Sequence, residues 1–116
     1  IGRDIESAME TPCLSMIGKT SVRQMSALLS RCRLVVTNDS GPMHVAAAFD
    51  VPIVAVFGPT DHTTTSPFAE TCRIVRHDTD CAPCLLRQCP TDHRCMSDVT
   101  VEDVLAAARD LMGAVR

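Results

Sequence analysis

The residues able to do chemistry gather in two places. The first is the stretch "TNDSGPMHVAAAFDVPIVAVFGPT", Thr37 to Thr60, in which a polar turn (Asn38, Asp39, Ser40, Gly41, Pro42) breaks an apolar run and His44 follows closely. A turn that leads from a strand into a helix presents free backbone N–H groups at the positive end of the helix dipole, an arrangement that favours an anion such as a phosphate. Gly41 leaves out a side chain where a ligand would come closest. The Asp39 carboxylate does not attract phosphate. It accepts hydrogen bonds from ligand hydroxyls or amines, or from backbone N–H groups that shape the turn. His44, in the first helical turn, can donate to a phosphate oxygen. The plainer alternative is that Asp39 or Ser40 caps the helix and that His44 is a satisfied, half-buried side chain. A second turn, Gly58-Pro59-Thr60, ends the next apolar run on the same side of the sheet.

The second place is Cys81, Cys84, Cys89 and Cys95, spaced C-x2-C-x4-C-x5-C with His93 among them. Four thiolates suit a tetrahedral structural zinc. An iron–sulfur cluster also takes four thiolates, with different usual spacings. Free thiols in a proline-braced loop, or disulfides formed on oxidation, are the alternatives. Arg87 and Arg94 in this loop either meet an anionic partner or are solvated. Cys13, Cys32 and Cys72 read as small core or strand residues. His62 and His77 lie in polar loops and read as surface residues. The run Thr63-Thr64-Thr65 reads as a loop whose hydroxyls satisfy nearby backbone groups.

The elements that must position these groups follow from periodicity. Residues 1–10 resemble the tail of a helix. Cys13–Ile17 is a short apolar segment that reads as a strand. In "TSVRQMSALLSRC", Val22, Met25, Leu28, Leu29 and Cys32 make one helical stripe, with Thr20 or Ser21 as cap and Ser21 with Gln24 as a capping box. Leu34–Thr37 is a strand of a sheet covered on both faces. Met43–Phe49 is a helix with Pro42 at its first position. Val51–Phe57 is a buried strand, 61–71 a polar loop and Arg73–Arg76 an edge strand. Residues 78–98 form the Cys-rich loop. Thr100 caps a last helix over Thr100–Met112, with Val104, Leu105, Ala108, Leu111 and Met112 as its stripe and Gly113 as its stop. Alternating strands and helices make the chain α/β with a mainly parallel sheet.

Composition narrows the remaining classes. At 116 residues the chain suits one domain, and 46% hydrophobic residues suffice for a core. Tyr and Trp are absent, so that core is aliphatic. A net charge of −3 with scattered Lys and Arg argues against nucleic acid as the main partner. No apolar run approaches the roughly 20 residues that span a bilayer. The seven cysteines, with no secretion signal, suit metal binding or free thiols better than disulfides. The opening "IGRDIESAM" reads as a start inside a longer protein.

"TNDSGPMHVAAAFDVPIVAVFGPTD" resembles the C-terminal domain of the ADP-heptose:lipopolysaccharide heptosyltransferases, glycosyltransferase family 9. The family pattern is D-[ST]-G-x-x-H-x-A-A, an apolar strand and a G-P-[TS] turn; Asp39, Ser40, Gly41, His44, Ala46, Ala47, Gly58, Pro59 and Thr60 match it. The stretches "GKTSVRQMSALLSRCRLVVTND" and "CAPCLLRQCPTDHRCM" extend the likeness over nearly the whole chain. The resemblance implies a Rossmann-like α/β fold, as part of the C-terminal, donor-binding domain of a GT-B glycosyltransferase. It implies transfer of heptose from ADP-L-glycero-D-manno-heptose to the inner core of lipopolysaccharide, with inversion and with no metal required. Asp39, Ser40, Gly41 and His44 would lie against the donor's diphosphate and sugar, and Thr20 near its adenosine end. The catalytic base would be in an N-terminal domain outside this chain, which alone would be inactive. The implied place of work is the cytoplasm, with peripheral contact at the inner membrane. Competing readings are another GT-B enzyme, such as a UDP-sugar 2-epimerase, and a non-enzymatic metal-binding module built on the Cys loop. The epimerases usually carry a Gly and an acidic residue where this chain has Pro42-Met43-His44.

Overall fold

The computed structural model describes residues 2–114. The elements are α1 (Gly2–Ala8), α2 (Val22–Leu29), β1 (Val35–Asn38), α3 (Gly41–Ala48), β2 (Ile53–Val56), α4 (His62–Thr65), β3 (Cys72–Val75), α5 (Arg94–Ser97) and α6 (Val101–Ala114). The strands form one parallel sheet in the order β1-β2-β3, with Val35 opposite Ile53 and Ile53 opposite Cys72. This is the expected α/β architecture.

Strand alternation divides the core into two layers. Val35, Ile53, Ala55 and Phe57 point to one face and meet Met43, Ala46 and Ala47 of α3. Val54 and Val75 point to the other and meet Leu111, with Val104, Ala107 and Ala108 of α6 beside it. The second layer stops short of β1, where Val36 is 53% exposed. The expectation that β1 is covered on both faces therefore fails at Val36: α6 lies chiefly over β2 and β3.

The cap chemistry read from the sequence is largely present. Ser21 and Gln24 form the reciprocal capping box of α2. Helix α3 ends where Asp50 takes φ 55°, with Asp50 N–H donating to Ala47 and Val51 N–H to Ala46, a Schellman closure that seats Val51 in the core. Pro42 is the second residue of α3 rather than the first, because the helix begins at Gly41.

Several expectations need correction. Cys13–Ile17 is not a strand. Among the described residues it pairs with no strand, Leu14 is 84% exposed, and a turn through Gly18 (φ 68°) is closed by Lys19 N–H to Met16. An apolar run becomes a strand only where an edge is in reach to satisfy its N–H and C=O groups. Cys13 and Cys32 are exposed rather than core, whereas Cys72 packs on the first layer. Val22 and Leu28 of the α2 stripe are exposed too; Leu29 packs against the core. Gly113 does not stop α6, which runs on through Ala114. Leu105 and Met112 sit on the open flank of α6, and Ala107 takes a place in the buried stripe. The polar loop 61–71 holds the single-turn helix α4, and the Cys-rich loop holds α5.

Thr100 caps α6 as expected, with Asp103 as its reciprocal partner. Thr100 N–H and Oγ1 donate to Asp103 Oδ2 at 2.9 and 2.7 Å, and Asp103 N–H donates back at 3.2 Å. The backbone and hydroxyl donors of Thr100, then His77, hold the Asp103 carboxyl below its usual range. A depressed carboxylate stabilises the fold fully above its unfolded pKa of about 3.9, and that stability is lost as pH falls through the folded value. Urea midpoints measured as a pH series are thus expected to fall more steeply below about pH 4 for the wild type than for Asp103→Asn. Parallel curves would contradict this assignment.

Candidate functional site

Asp39, Ser40 and Gly41 follow β1 at the C-terminal end of the sheet, the end where open α/β sheets bind ligands. The turn is pinned by Asp39 N–H, which donates to Val56 O at 3.3 Å. Helix α3 is anchored by Met43, which is 0% exposed, with Ala46 and Ala47 beside it. Gly41, His44 and Ala48, at helical spacing, are all exposed. Gly41 and His44 therefore share the open side of the first turns.

The plain capping alternative does not hold. Ser40 occupies the N-cap position but makes no side-chain cap. Its Oγ lies 3.2 Å from Thr37 Oγ1 instead. Asp39 is drawn elsewhere, its Oδ2 accepting from Thr65 Oγ1 at 2.8 Å. Among the described residues no side chain caps the α3 N-terminus. A Cβ added at Gly41 would meet nothing within 4 Å, so the space beside the turn is open.

The contact with Thr65 was not legible in the sequence. The threonine run does satisfy local groups: Thr63 N–H and Oγ1 donate to Asp61 Oδ1 at 2.9 and 2.7 Å, capping α4. These bonds hold the Asp61 carboxyl low. Thr65, however, also reaches Asp39, 26 residues away, and ties the loop after β2 to the turn after β1. Phe57 supports that loop from below, with its ring edge-on to His62 at 6.4 Å.

Thr20 is not brought to this turn by any contact among the described residues. It lines a separate hollow of about 300 Å³ with Met16, Lys19, Gln24, Ala27 and Leu28. A larger hollow, about 660 Å³, lies at the other end of the strands beside Val51 and Thr71. It carries the carboxylates Asp50 and Glu70, which repel an anion, and so it does not compete with the turn for one.

The Cys-rich loop closes over the same sheet end. Cys81, Cys84, Cys89 and Cys95 line one hollow of about 290 Å³ together with Asn38 and Pro59. The expected zinc set does not form: among the described residues no group of three or more His, Cys, Asp or Glu could hold a metal. Cys81 and Cys89 lie beside the hydroxyls of Thr79 and Thr91, and Cys95 is buried. Burial, then the neighbouring thiols of Cys81, Cys84 and Cys89, push the Cys95 thiol up, while the Thr91 hydroxyl holds Cys89 down. The loop is fixed by Leu85 N–H to Pro59 O at 2.8 Å and by close packing at Gly58. A Cβ at Gly58 would overlap Met96 Sδ and lie 3.4 Å from Cys95 Sγ.

Taken together, a three-stranded parallel sheet with a helix N-terminus at its C-terminal end makes this chain part of a Rossmann-like α/β unit. The profile of Glycosyltransferase family 9 (heptosyltransferase) matches residues 1–94, and the chain belongs to that family. Among curated relatives it is 40% identical over 100 residues to lipooligosaccharide heptosyltransferase 2 of Campylobacter jejuni, covering 84% of this chain and 31% of that protein. The structure of Escherichia coli ADP-heptose LPS heptosyltransferase II is similar over 96% of this chain and 32% of that one, with a TM-score of 0.80 and 33% identity. A family 9 glycosyltransferase from Veillonella parvula matches with a TM-score of 0.79 and 28% identity over 95% of this chain and 32% of its own. The chain thus spans about a third of the length of these relatives. Among the described residues no helix is long and apolar enough to cross a membrane.

Proposed function

We propose that this chain is the second part of the C-terminal, donor-binding domain of a heptosyltransferase of the GT-B type. In the full-length protein it would take ADP-L-glycero-D-manno-heptose and serve transfer of heptose to the inner core of lipopolysaccharide. The observation that carries the reading is the open N-terminus of α3, with no side-chain cap and with Gly41 and His44 on its exposed side.

Each residue then has a physical task. Pro42 has no N–H and Met43 N–H donates to Ser40 O at 3.1 Å, so the Gly41 N–H and His44 receive the diphosphate. They stabilise the charge that grows on ADP as the bond to the sugar breaks, without having to reorganise. Asp39, oriented by Thr65, accepts from sugar hydroxyls. Ser40 adds a hydroxyl beside it. Thr20, in its own hollow, serves the adenosine end. The base that activates the acceptor belongs to the N-terminal domain. Transfer inverts the anomeric centre, needs no metal, and does not proceed on this chain alone. The work is placed in the cytoplasm, with the protein touching the inner face of the inner membrane, where the lipid acceptor resides.

The test is transfer by the full-length protein, with ADP-heptose against UDP-sugars as donors and heptose-deficient lipopolysaccharide core as acceptor. Heptose transfer with inverted configuration from the ADP donor alone is expected. Turnover of a UDP-sugar, by transfer or by epimerisation, would overturn the reading.

A further inference from the structure

We propose that Arg87 is a substrate-binding residue: its guanidinium receives an anionic oxygen group, phosphate or carboxylate, of a substrate held at the C-terminal end of the sheet. The inference rests on the donor-site reading above and extends it to the Cys-rich loop. Arg87 lines the hollow shared by Asn38, the residue before Asp39, and Pro59 of the second turn. No carboxylate lines that hollow, so Arg87 has no acidic partner in it.

Pairing separates Arg87 from Arg94, the other arginine of its loop. Arg94, in the same loop, is held by Asp92 at 2.7 Å, Arg73 by Asp110 at 2.6 Å, and Arg76 by Asp78. Arg87 makes no hydrogen bond or ion pair among the described residues. A guanidinium offers donors in a planar fork that suits carboxylate and phosphate oxygens.

The loop that carries it is also fixed with strain. Leu85, two residues before Arg87, is held at φ 58°, a left-handed conformation that a bulky side chain avoids. Its N–H is spent on Pro59 O at 2.8 Å. On the other side of the loop, the missing Cβ of Gly58 lets Met96 approach the second turn. Both contacts press the loop onto the sheet end that carries the candidate site. A loop merely covering an edge needs neither.

The test uses the full-length transferase with Arg87→Gln, Arg87→Lys and, as control, Arg94→Gln. KM is measured for each substrate, and ADP binding by calorimetry. Arg87→Gln is expected to raise one KM about tenfold or more, as loss of a charge-assisted hydrogen bond does. Arg87→Lys is expected to recover part of the loss, and Arg94→Gln to match the wild type. A raised donor KM with weakened ADP binding assigns the anion to the donor's diphosphate. A raised acceptor KM with unchanged ADP binding assigns it to the acceptor. Wild-type values for Arg87→Gln in all three measurements would overturn the proposal. If the wild type uses a UDP donor instead, the donor reading fails, and the same comparison made with UDP and that donor's substrates still decides the role of Arg87.

Discussion

Phe57→Ala is expected to be the most damaging single truncation in this chain. The ring is 1% exposed and is the largest side chain in the first core layer. Deleting a buried aromatic costs about 3–5 kcal/mol, in lost transfer energy and in the cavity left behind. Domains of this size hold only about 5–15 kcal/mol in all, so the midpoint of thermal unfolding should fall by roughly 10–20 °C. The damage should also reach the site. Phe57 is followed by the Gly58-Pro59 turn and braces His62, and through α4 it supports the Thr65–Asp39 bond. Phe49→Ala is the control, since that ring is 49% exposed and its loss should cost no more than about 1 kcal/mol. Calorimetric melts of the two variants check the contrast. Equal losses would mean that the first layer is not the centre of the core.

The second large effect is on binding, and it should be separable from stability. His44 is exposed, so His44→Ala should melt with the wild type. A hydrogen bond to a charged phosphate is worth about 1.5–3 kcal/mol, so ADP affinity should fall about tenfold or more. Gly41→Ala gives a sharper version. The new methyl meets nothing within 4 Å, and alanine favours a helix over glycine by up to about 1 kcal/mol. That variant should be as stable as the wild type or slightly more so. It should nonetheless bind ADP more weakly, because the methyl occupies the space the ligand needs. Melting curves with isothermal titration of ADP check both halves. A stable Gly41→Ala protein with unchanged affinity would show that nothing docks beside this turn.

What could be read from the sequence was whatever depends on near neighbours. The runs Leu34–Thr37 and Val51–Phe57 contain the observed β1 core and β2, since a short buried parallel strand is a continuous apolar run. The caps at Ser21 and Thr100 were legible because their partners lie three residues on. The turn at Asp39–Gly41 was legible as a strand-to-helix turn because polar, turn-forming residues and Pro42 break the apolar run there. Features that depend on distant partners were not. Cys13–Ile17 has the composition of a strand and lacks a neighbour, which no local pattern discloses. Val36 looks as buried as Val35 in the sequence; only the placement of α6 separates them. The C-x2-C spacing suggests a metal; the four thiols do share one hollow, yet among the described residues no group of three or more is set to hold an ion. The tie from Thr65 to Asp39 spans 26 residues and had no local signal. Gly58 was read as a turn residue, whereas its main service is to let Met96 in.

The central claim is that ADP binds at the N-terminus of α3. The most direct measurement is an amide chemical-shift titration of the isotope-labelled chain with ADP, and separately with UDP. The account predicts that the amides of Ser40, Gly41, Met43 and His44 move with ADP and saturate, with smaller changes at Thr63 to Thr65 and little response to UDP. It is contradicted if those amides stay still up to millimolar ADP, if they answer UDP equally, or if the shifts centre on the hollow beside Asp50 and Glu70 at the opposite end of the strands.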